Sequence, residues 1–259
     1  MTSMATIPEN NAFAPAVWDL LQGHHSAREF TDAPIDESTL DNVLTCGLRA
    51  ANWNNGQHVT AIVLRDSHRK QQMAALCGNQ ASIARAPIFV VLVMDFCRSA
   101  MAAQQHGRTQ RVHENQNAVL IGAVDAGIVL GTLMAAARAA GLAVCPIGGV
   151  RRNSADVCTL LELPTLTYPL AGLCLGHPAK VPAALKPRIG LQAFAHEERY
   201  QTQHSQDSLA PLDAQYSDYS EALGKASAPV WTDWISKRYE SADYADVAQV
   251  LAQQGFHLV

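Results

Sequence analysis

The stretch Asn117-Ala118-Val119-Leu120-Ile121-Gly122-Ala123-Val124-Asp125-Ala126-Gly127-Ile128-Val129-Leu130-Gly131-Thr132-Leu133-Met134-Ala135-Ala136-Ala137-Arg138-Ala139-Ala140-Gly141-Leu142-Ala143-Val144 is nearly free of charge. Only Asp125 and Arg138 interrupt it, and Gly122, Gly127, Gly131 and Gly141 punctuate it. Its length admits two architectures, a membrane span or a helix buried in a globular core or subunit interface. A span would carry Asp125 at its centre, at a cost of about 2.5–3.5 kcal/mol. The buried helix is therefore favoured, over residues 115–140, with Gly141 ending it and Leu142 to Ile147 continuing as a strand.

Patterns on either side of this helix predict an alternation of helices and strands. Upstream, residues 13–23 place Phe13, Val17, Leu20 and Leu21 on one helical face. Asp36 can cap a second helix striped by Leu40, Val43, Leu44, Gly47, Leu48 and Ala51. The cluster Asn52-Trp53-Asn54-Asn55-Gly56 ends that helix in a turn. Thr60 to Leu64 reads as a strand, Ser67 to Leu76 as a helix stopped by Gly78, and Ile88 to Met94 as a buried central strand. Residues 99–114 are polar and are expected to form a mobile excursion. Downstream, Ala155 to Leu161 reads as a short helix, Pro169 to Leu175 as a strand, and Trp231 to Gln254 as a last helical region. Residues 201–229 show little apolar periodicity. Helices should cover both faces of the sheet.

Composition narrows the class. The chain has 259 residues, 48% hydrophobic and 16% charged, which supports a full core and disfavours disorder. A formal net charge of −4 gives no electrostatic case for binding nucleic acid. No Lys or Arg precedes Arg28 and the opening is polar, so no secretory leader is read and the cytoplasm is the expected compartment. Cys46, Cys77, Cys97, Cys145, Cys158 and Cys174 stand singly in mostly apolar surroundings and read as buried free thiols. The histidines share no ligand spacing, so no metal site is expected. Glycine-rich dinucleotide and P-loop signatures are absent, as are GxSxG and HExxH. A bound nucleotide would thus have its phosphate held by side chains.

Four short segments offer such side chains. In an extended segment, His24, Ser26 and Arg28 would face the same way, presenting an imidazole, a hydroxyl and a guanidinium to one ligand. Lys186-Pro187-Arg188 flanks a rigid proline with two cations suited to a dianionic phosphate. Ile147-Gly148-Gly149 follows a strand, and glycine lets backbone approach a flat ligand. Gln80 offers an amide to a heterocycle edge. Taken alone, each segment reads more readily as a surface turn or solvated loop.

In this order and spacing, the segments resemble the oxygen-insensitive nitroreductase and flavin reductase P-like family of FMN enzymes. The resemblance runs from about residue 18 to residue 200. It also rests on Glu29-Phe30-Thr31-Asp32-Ala33-Pro34-Ile35, Ala86-Pro87-Ile88-Phe89, Val124-Asp125-Ala126, Leu163-Pro164 and Leu175-Gly176-His177-Pro178, and points to the longer, NADPH-using branch. It implies an α+β nitroreductase-like fold, with a mostly antiparallel sheet sandwiched by helices, and an intertwined homodimer with the long helix at its centre. Residues 1–200 would form the FMN-binding domain, and residues 201–259 a C-terminal extension packing on the core or the partner subunit.

FMN would lie at the dimer interface. Arg28 would face the N1/O2 edge of the flavin, and His24, Ser26, Lys186 and Arg188 would hold the phosphate and ribityl chain. Gln80 would contact the ring, and Gly148 and Gly149, after Ile147, would bring backbone N–H groups to N5. His25 stands where the family usually has arginine. Asn52 and Asn54 occupy the family's serine-rich turn and can still hydrogen-bond flavin. Trp53 either reshapes the pocket or packs under the sheet. The implied reaction is ping-pong hydride transfer from NADPH or NADH, through FMN, to a small-molecule acceptor such as a nitroaromatic, a quinone or free flavin, with no catalytic side chain required. Residues 201–236 offer only Lys225 where NADPH-preferring relatives place an arginine, which weakens the expectation of strict NADPH preference. Two alternatives stay open: an enzyme of this fold dedicated to one substrate, and a flavin-binding regulatory dimer with little reductase activity. Neither a membrane nor nucleic acid enters these readings.

Overall fold

The computed structural model describes residues 14–225, 227–241, 244 and 246–257. Its centre is the strand the apolar run predicts, β2 (Ile88–Asp95), which follows β1 (Val59–Leu64) and precedes β3 (Ala143–Ile147) and β4 (Thr167–Gly176). The sheet order is β1-β2-β4-β3, and every neighbouring pair is antiparallel. Registers include Val63 opposite Val90, Val91 opposite Gly172 and Cys145 opposite Cys174. Proline donates no ladder hydrogen bond, and both strand prolines stand where this is tolerated. Pro146 is on edge strand β3, and Pro169 sits at a bulge where the register against β2 shifts between Leu92 and Val93.

The helices in chain order are α1 (Ala14–Gln22), α2 (Glu37–Leu48), α3 (Ser67–Leu76), α4 (Ala81–Arg85), α5 (Cys97–Gln105), α6 (Asn117–Ala139), α7 (Ser154–Leu160), α8 (Leu191–Phe194), α9 (Thr202–Asp207), α10 (Leu209–Ala222), α11 (Trp231–Arg238) and α12 (Val247–Gln253). Asp36 caps α2 by accepting from Thr39 N–H at 3.2 Å, and Gly141 takes φ of +78° just past α6.

Alternation along β2 divides the core. Phe89, Val91 and Val93 pack with Met73, Ile83 and Val157 from α3, α4 and α7. Ile88, Val90 and Leu92 pack on the other face with Leu40 and Val43 of α2 and Leu133 and Ala137 of α6. Helices thus cover both faces of the sheet. α2 approaches α6 at Gly47, where a Cβ would lie 2.5 Å from the Leu133 side chain. A third cluster closes one end, where Met94, Phe96, Ala118, Ile121 and Tyr168 meet Val250, Leu251 and Phe256.

α6 is long and apolar enough, by length and composition, to cross a membrane. Its role in the chain is that of a core helix, for it contacts α2 and all four strands. The stripe of Leu120, Val124 and Ile128 stays exposed on it.

Several expectations are corrected. Residues 99–114 are no irregular excursion: most of α5 and a 3-10 turn over Val112–Glu114 occupy them. α5 buries no residue, so no stripe announces it. It forms because its Ala, Met and Gln residues favour helix and because the Asp95 carboxylate accepts from the Cys97 and Arg98 N–H groups. Residues 201–229 hold α9 and α10, and α10 buries only Leu212 and Ser220, too thin a stripe to show as periodicity. The region Trp231 to Gln254 is two helices. Val17 and Leu21 on α1 are about half exposed, and Phe13 lies outside the described residues. Cys46 is exposed and Cys97 intermediate, while the other four thiols are buried, with Cys77 pushed up to about 12 by desolvation.

A Cβ on Gly172 would lie 2.3 Å from the ring of Phe89, which is fully buried. Gly172→Ala should therefore cost about 1–3 kcal/mol, read as a lower urea midpoint at unchanged slope. An unchanged midpoint would contradict this packing.

Candidate functional site

The segment after α1 runs beside edge strand β3. Ala27 N–H donates to the Val144 carbonyl at 2.9 Å, and Thr31 N–H to the His177 carbonyl at 3.0 Å. Phe30 pairs with Pro178 as an isolated bridge, and Glu29 accepts from Lys180 at 2.7 Å. The Ala27 side chain is buried, while Ser26 is partly open and Arg28 exposed. Arg28 lies near enough to Cys145 for its charge to oppose the rise that burial imposes on that thiol. His25 lines a small recess with Leu20, Arg138 and Pro178.

Beyond β3 the chain turns through a 3-10 segment, Gly148–Arg151. Gly149 has no room for a side chain, since a Cβ would lie 2.6 Å from Gln80 Nε2 and 2.7 Å from the Cys77 carbonyl. Gln80 Nε2 itself donates to that carbonyl at 3.1 Å. Gly148 is exposed, and backbone there is open to a ligand. From Val144 to Gly148 is roughly 13 Å of strand.

The Lys186–Arg188 loop meets the His24 end of this surface. Arg188 Nη1 donates to the carbonyls of Lys186 at 3.3 Å and Pro187 at 3.1 Å, which curls the side chain over its own loop. Lys186 Nζ stands 5.7 Å from the centre of the Trp234 ring, a cation–π contact. His24 is held below the usual imidazole range, first by burial and then by the charges of Arg138, Arg188 and His25. Arg138 donates to the Leu20 carbonyl. Among the described residues, none of Arg28, Arg138, Lys186 and Arg188 is in an ion pair with a carboxylate. Arg28, Lys186 and Arg188 are exposed, so water satisfies them in the free chain and they are open to an anion from solvent.

Asn52, Trp53 and Asn54 stand elsewhere. Trp53 N–H donates to Asp125 Oδ1 at 3.0 Å, and His58 Nδ1 lies 3.1 Å from Asp125 Oδ2. Asn52 Oδ1 accepts from Gln57 N–H at 3.0 Å, and its Nδ2 donates to the Ala50 carbonyl. Trp53 does not pack under the sheet; it is 48% exposed. Asp125 and Arg138 lie roughly 20 Å apart along α6, at about 1.5 Å per residue, so this turn is well removed from His24 within one chain. Beside it a cleft of about 730 Å³ is lined by Leu44, Leu48, Asn52, His58 and Arg98 among others.

The structure therefore brings His24, Arg138 and Arg188 together beside the start of β3, sets Arg28 against Cys145 of that strand, draws Lys186 to Trp234, and puts Gln80 beside Gly149 at the far end. It adds Arg138, Trp234 and His58, which no motif marks, and Asp125, which the resemblance includes in Val124-Asp125-Ala126 without giving it a role. The first signal for two of them lay in the sequence, because Asp125 and Arg138 are the two charges of α6.

An antiparallel sheet covered on both faces by helices defines an α+β protein. The chain belongs to the nitroreductase family: the family model matches residues 21–177, and the model of the family's C-terminal domain matches residues 186–259. It is 38% identical over 240 residues to an FMN reductase of Bacillus subtilis (strain 168) whose name gives NAD(P)H as donor, covering 91% of this chain and 96% of that one. It is 30% identical over 241 residues to the oxygen-insensitive NADPH nitroreductase of Salmonella typhimurium, covering 92% and 97%. The structure of NfrA2 from B. megaterium superposes with a TM-score of 0.91 at 34% identity, covering 94% of this chain and 98% of that one. The NADPH:FMN oxidoreductase from Vibrio harveyi complexed with NAD+ superposes with a TM-score of 0.81 at 28% identity, covering 93% and 98%.

The state of His24 makes a prediction. Its proton is bound less readily in the folded chain than in the unfolded one, so stability falls as the pH drops through 6.5 toward the lowered folded value. Urea midpoints measured from about pH 8 to about pH 5 should decline less steeply in His24→Gln than in the wild type. Identical profiles would remove His24 from the cation cluster.

Proposed function

We propose that this chain is an FMN-dependent NAD(P)H oxidoreductase that reduces small-molecule acceptors such as nitroaromatics, quinones or flavins. The observation that carries the reading is the unpaired cation cluster at one end of β3, with an open glycine turn at the other. His24, Ser26, Lys186 and Arg188 would hold the phosphate and ribityl chain, with Arg138 lending charge from α6. Arg28 would face the flavin's N1/O2 edge, and Gln80, Ile147, Gly148 and Gly149 its ring. His25 borders the phosphate end. FMN held by these residues would supply the hydride and electron chemistry that links NADPH or NADH to the acceptor. Within that exchange the chain binds and orients: a cation near N1/O2 favours the charge that develops there, and no side chain need act as nucleophile.

We infer that the working unit is a homodimer. The exposed stripe Leu120, Val124 and Ile128 on α6 adjoins Gly127 and Gly131, where no side chain blocks close approach. Such a stripe is costly to leave in water. A second copy packed on it would bring its own Asn52–Asn54 turn toward the flavin held by the first, which one chain does not do. Residues 1–200 would then carry the flavin site, and residues 201–259 would serve as an extension on the core or the partner. Support for the first of these contacts comes from α12, which seats Val250 and Leu251 against Met94 and Tyr168. The setting proposed is the cytoplasm, with neither a membrane nor nucleic acid as partner. Absence of an arginine from residues 201–236 favours use of NADH as well as NADPH.

The test is the visible spectrum of the purified protein, followed anaerobically as NADPH or NADH is added. Flavin bands that bleach with either donor are expected; a protein that cannot be loaded with FMN would overturn the reading. Arg188→Ala should lose flavin on gel filtration faster than the wild type, because it removes one of the cations proposed to hold the phosphate. Full retention would place the phosphate elsewhere.

A further inference from the structure

The turn that carries Trp53 is built against ordinary backbone preference. Asn54, Asn55 and Gln57 all have positive φ, at 51°, 54° and 53°. Asn tolerates left-handed backbone better than other non-glycine residues, but Gln57 does not, and three such positions within four residues hold a fixed shape only where surroundings support it. Here they do. The buried Asp125 accepts from Trp53 N–H, and Asn52 Oδ1 from Gln57 N–H. Gly56 N–H donates to the Trp53 carbonyl at 2.8 Å, and Arg98 Nη1 to the Gln57 carbonyl at 2.6 Å. Arg98 is itself fixed to Thr60 and Asp95.

What this clamp presents is one large aromatic side chain. The Trp53 ring stands 6.1 Å from the His58 ring, tilted by 41°. His58 stacks on Phe96 at 4.5 Å, and Phe96 meets Phe256 edge-on at 6.0 Å. The indole is thus backed by a ladder of rings running into the core while 48% of the residue stays open. A tryptophan serving only to fill the core would be buried, and one serving nothing would need no strained, four-fold clamped turn.

We propose that Trp53 is a specificity-determining residue whose indole forms one wall of the acceptor pocket and stacks on planar aromatic acceptors, quinones and nitroaromatics, with Asp125 as its positioning residue. This rests on the oxidoreductase reading above, in which a second copy brings the turn to the flavin. A rigid aromatic face gains contact with a flat ring at little entropic cost and gains nothing from an acceptor without one.

The experiment uses FMN-loaded full-length protein and two acceptors: menadione, a planar naphthoquinone, and ferricyanide, an octahedral anion with no ring to stack. Trp53→Leu should raise the KM for menadione about five- to tenfold while shifting that for ferricyanide by less than about twofold, and Trp53→Phe should restore most of the difference. Asp125→Ala, which keeps the indole but frees its turn, should reproduce the menadione defect, and Asp125→Asn, which retains a carbonyl for Trp53 N–H, should largely rescue it. Parallel changes for both acceptors, or no change for either, would overturn the proposal. So would Trp53→Leu protein that cannot retain FMN, which would make Trp53 a cofactor contact. Wild-type flavin left oxidised by both NADPH and NADH would overturn the oxidoreductase reading together with this one, whereas active wild type with indifferent Trp53 variants would sink this proposal alone.

Discussion

A carboxylate set in the middle of an apolar helix has to find hydrogen-bond partners inside the protein. Asp125 is 2% exposed, and its two oxygens take the Trp53 N–H and the His58 ring. That requirement ties three elements that have no local reason to meet. It docks the turn after α2 onto α6, and it sets the entry of β1, since His58 immediately precedes Val59. It also aligns His58 on Phe96, at the end of β2, and through Phe96 on Phe256 near the C-terminus. An apolar residue at position 125 would satisfy the helix and leave the turn without its anchor.

The opposite end of α6 carries the opposite problem. Arg138 places a cation beside His24 and Arg188, and no described carboxylate pairs with any of them. Like charges brought together lower one another's affinity for protons and raise their affinity for an anion. One helix therefore bears a carboxylate near its middle with two side-chain and backbone partners, and near its end an arginine bonded to the Leu20 carbonyl with no described carboxylate beside it.

Much of this was legible in the sequence where the signal is local. The cap at Asp36, the strand after Pro87, the helix that opens at Ser67 and the glycine turn after β3 depend on residues within a few positions of one another. The Asp125 contacts do not, for His58 and Trp53 are 67 and 72 positions away. Spacing could mark Asp125 as an interruption of an apolar run but not supply its partners. α5 and α10 escaped for another reason. Both are surface helices, one with nothing buried and the other with two residues, so propensity and capping make them and a search for stripes passes over them. The fold resemblance reached the antiparallel sheet that alternation of helix and strand alone did not specify.

The two ends of α6 also bear on assembly. A flavin joining the proposed cation cluster to the glycine turn would follow β3, and the Trp53 turn of the same chain lies roughly 20 Å along the helix from Arg138. If two copies pack across the Leu120–Val124–Ile128 stripe about a two-fold axis, each contact is made twice, and the turn of one copy is carried toward the far end of α6 in the other. The clamped turn would then have a use in the proposed dimer that it lacks in the single chain, and the glycines along the exposed side of α6 would permit the two helices to come that close.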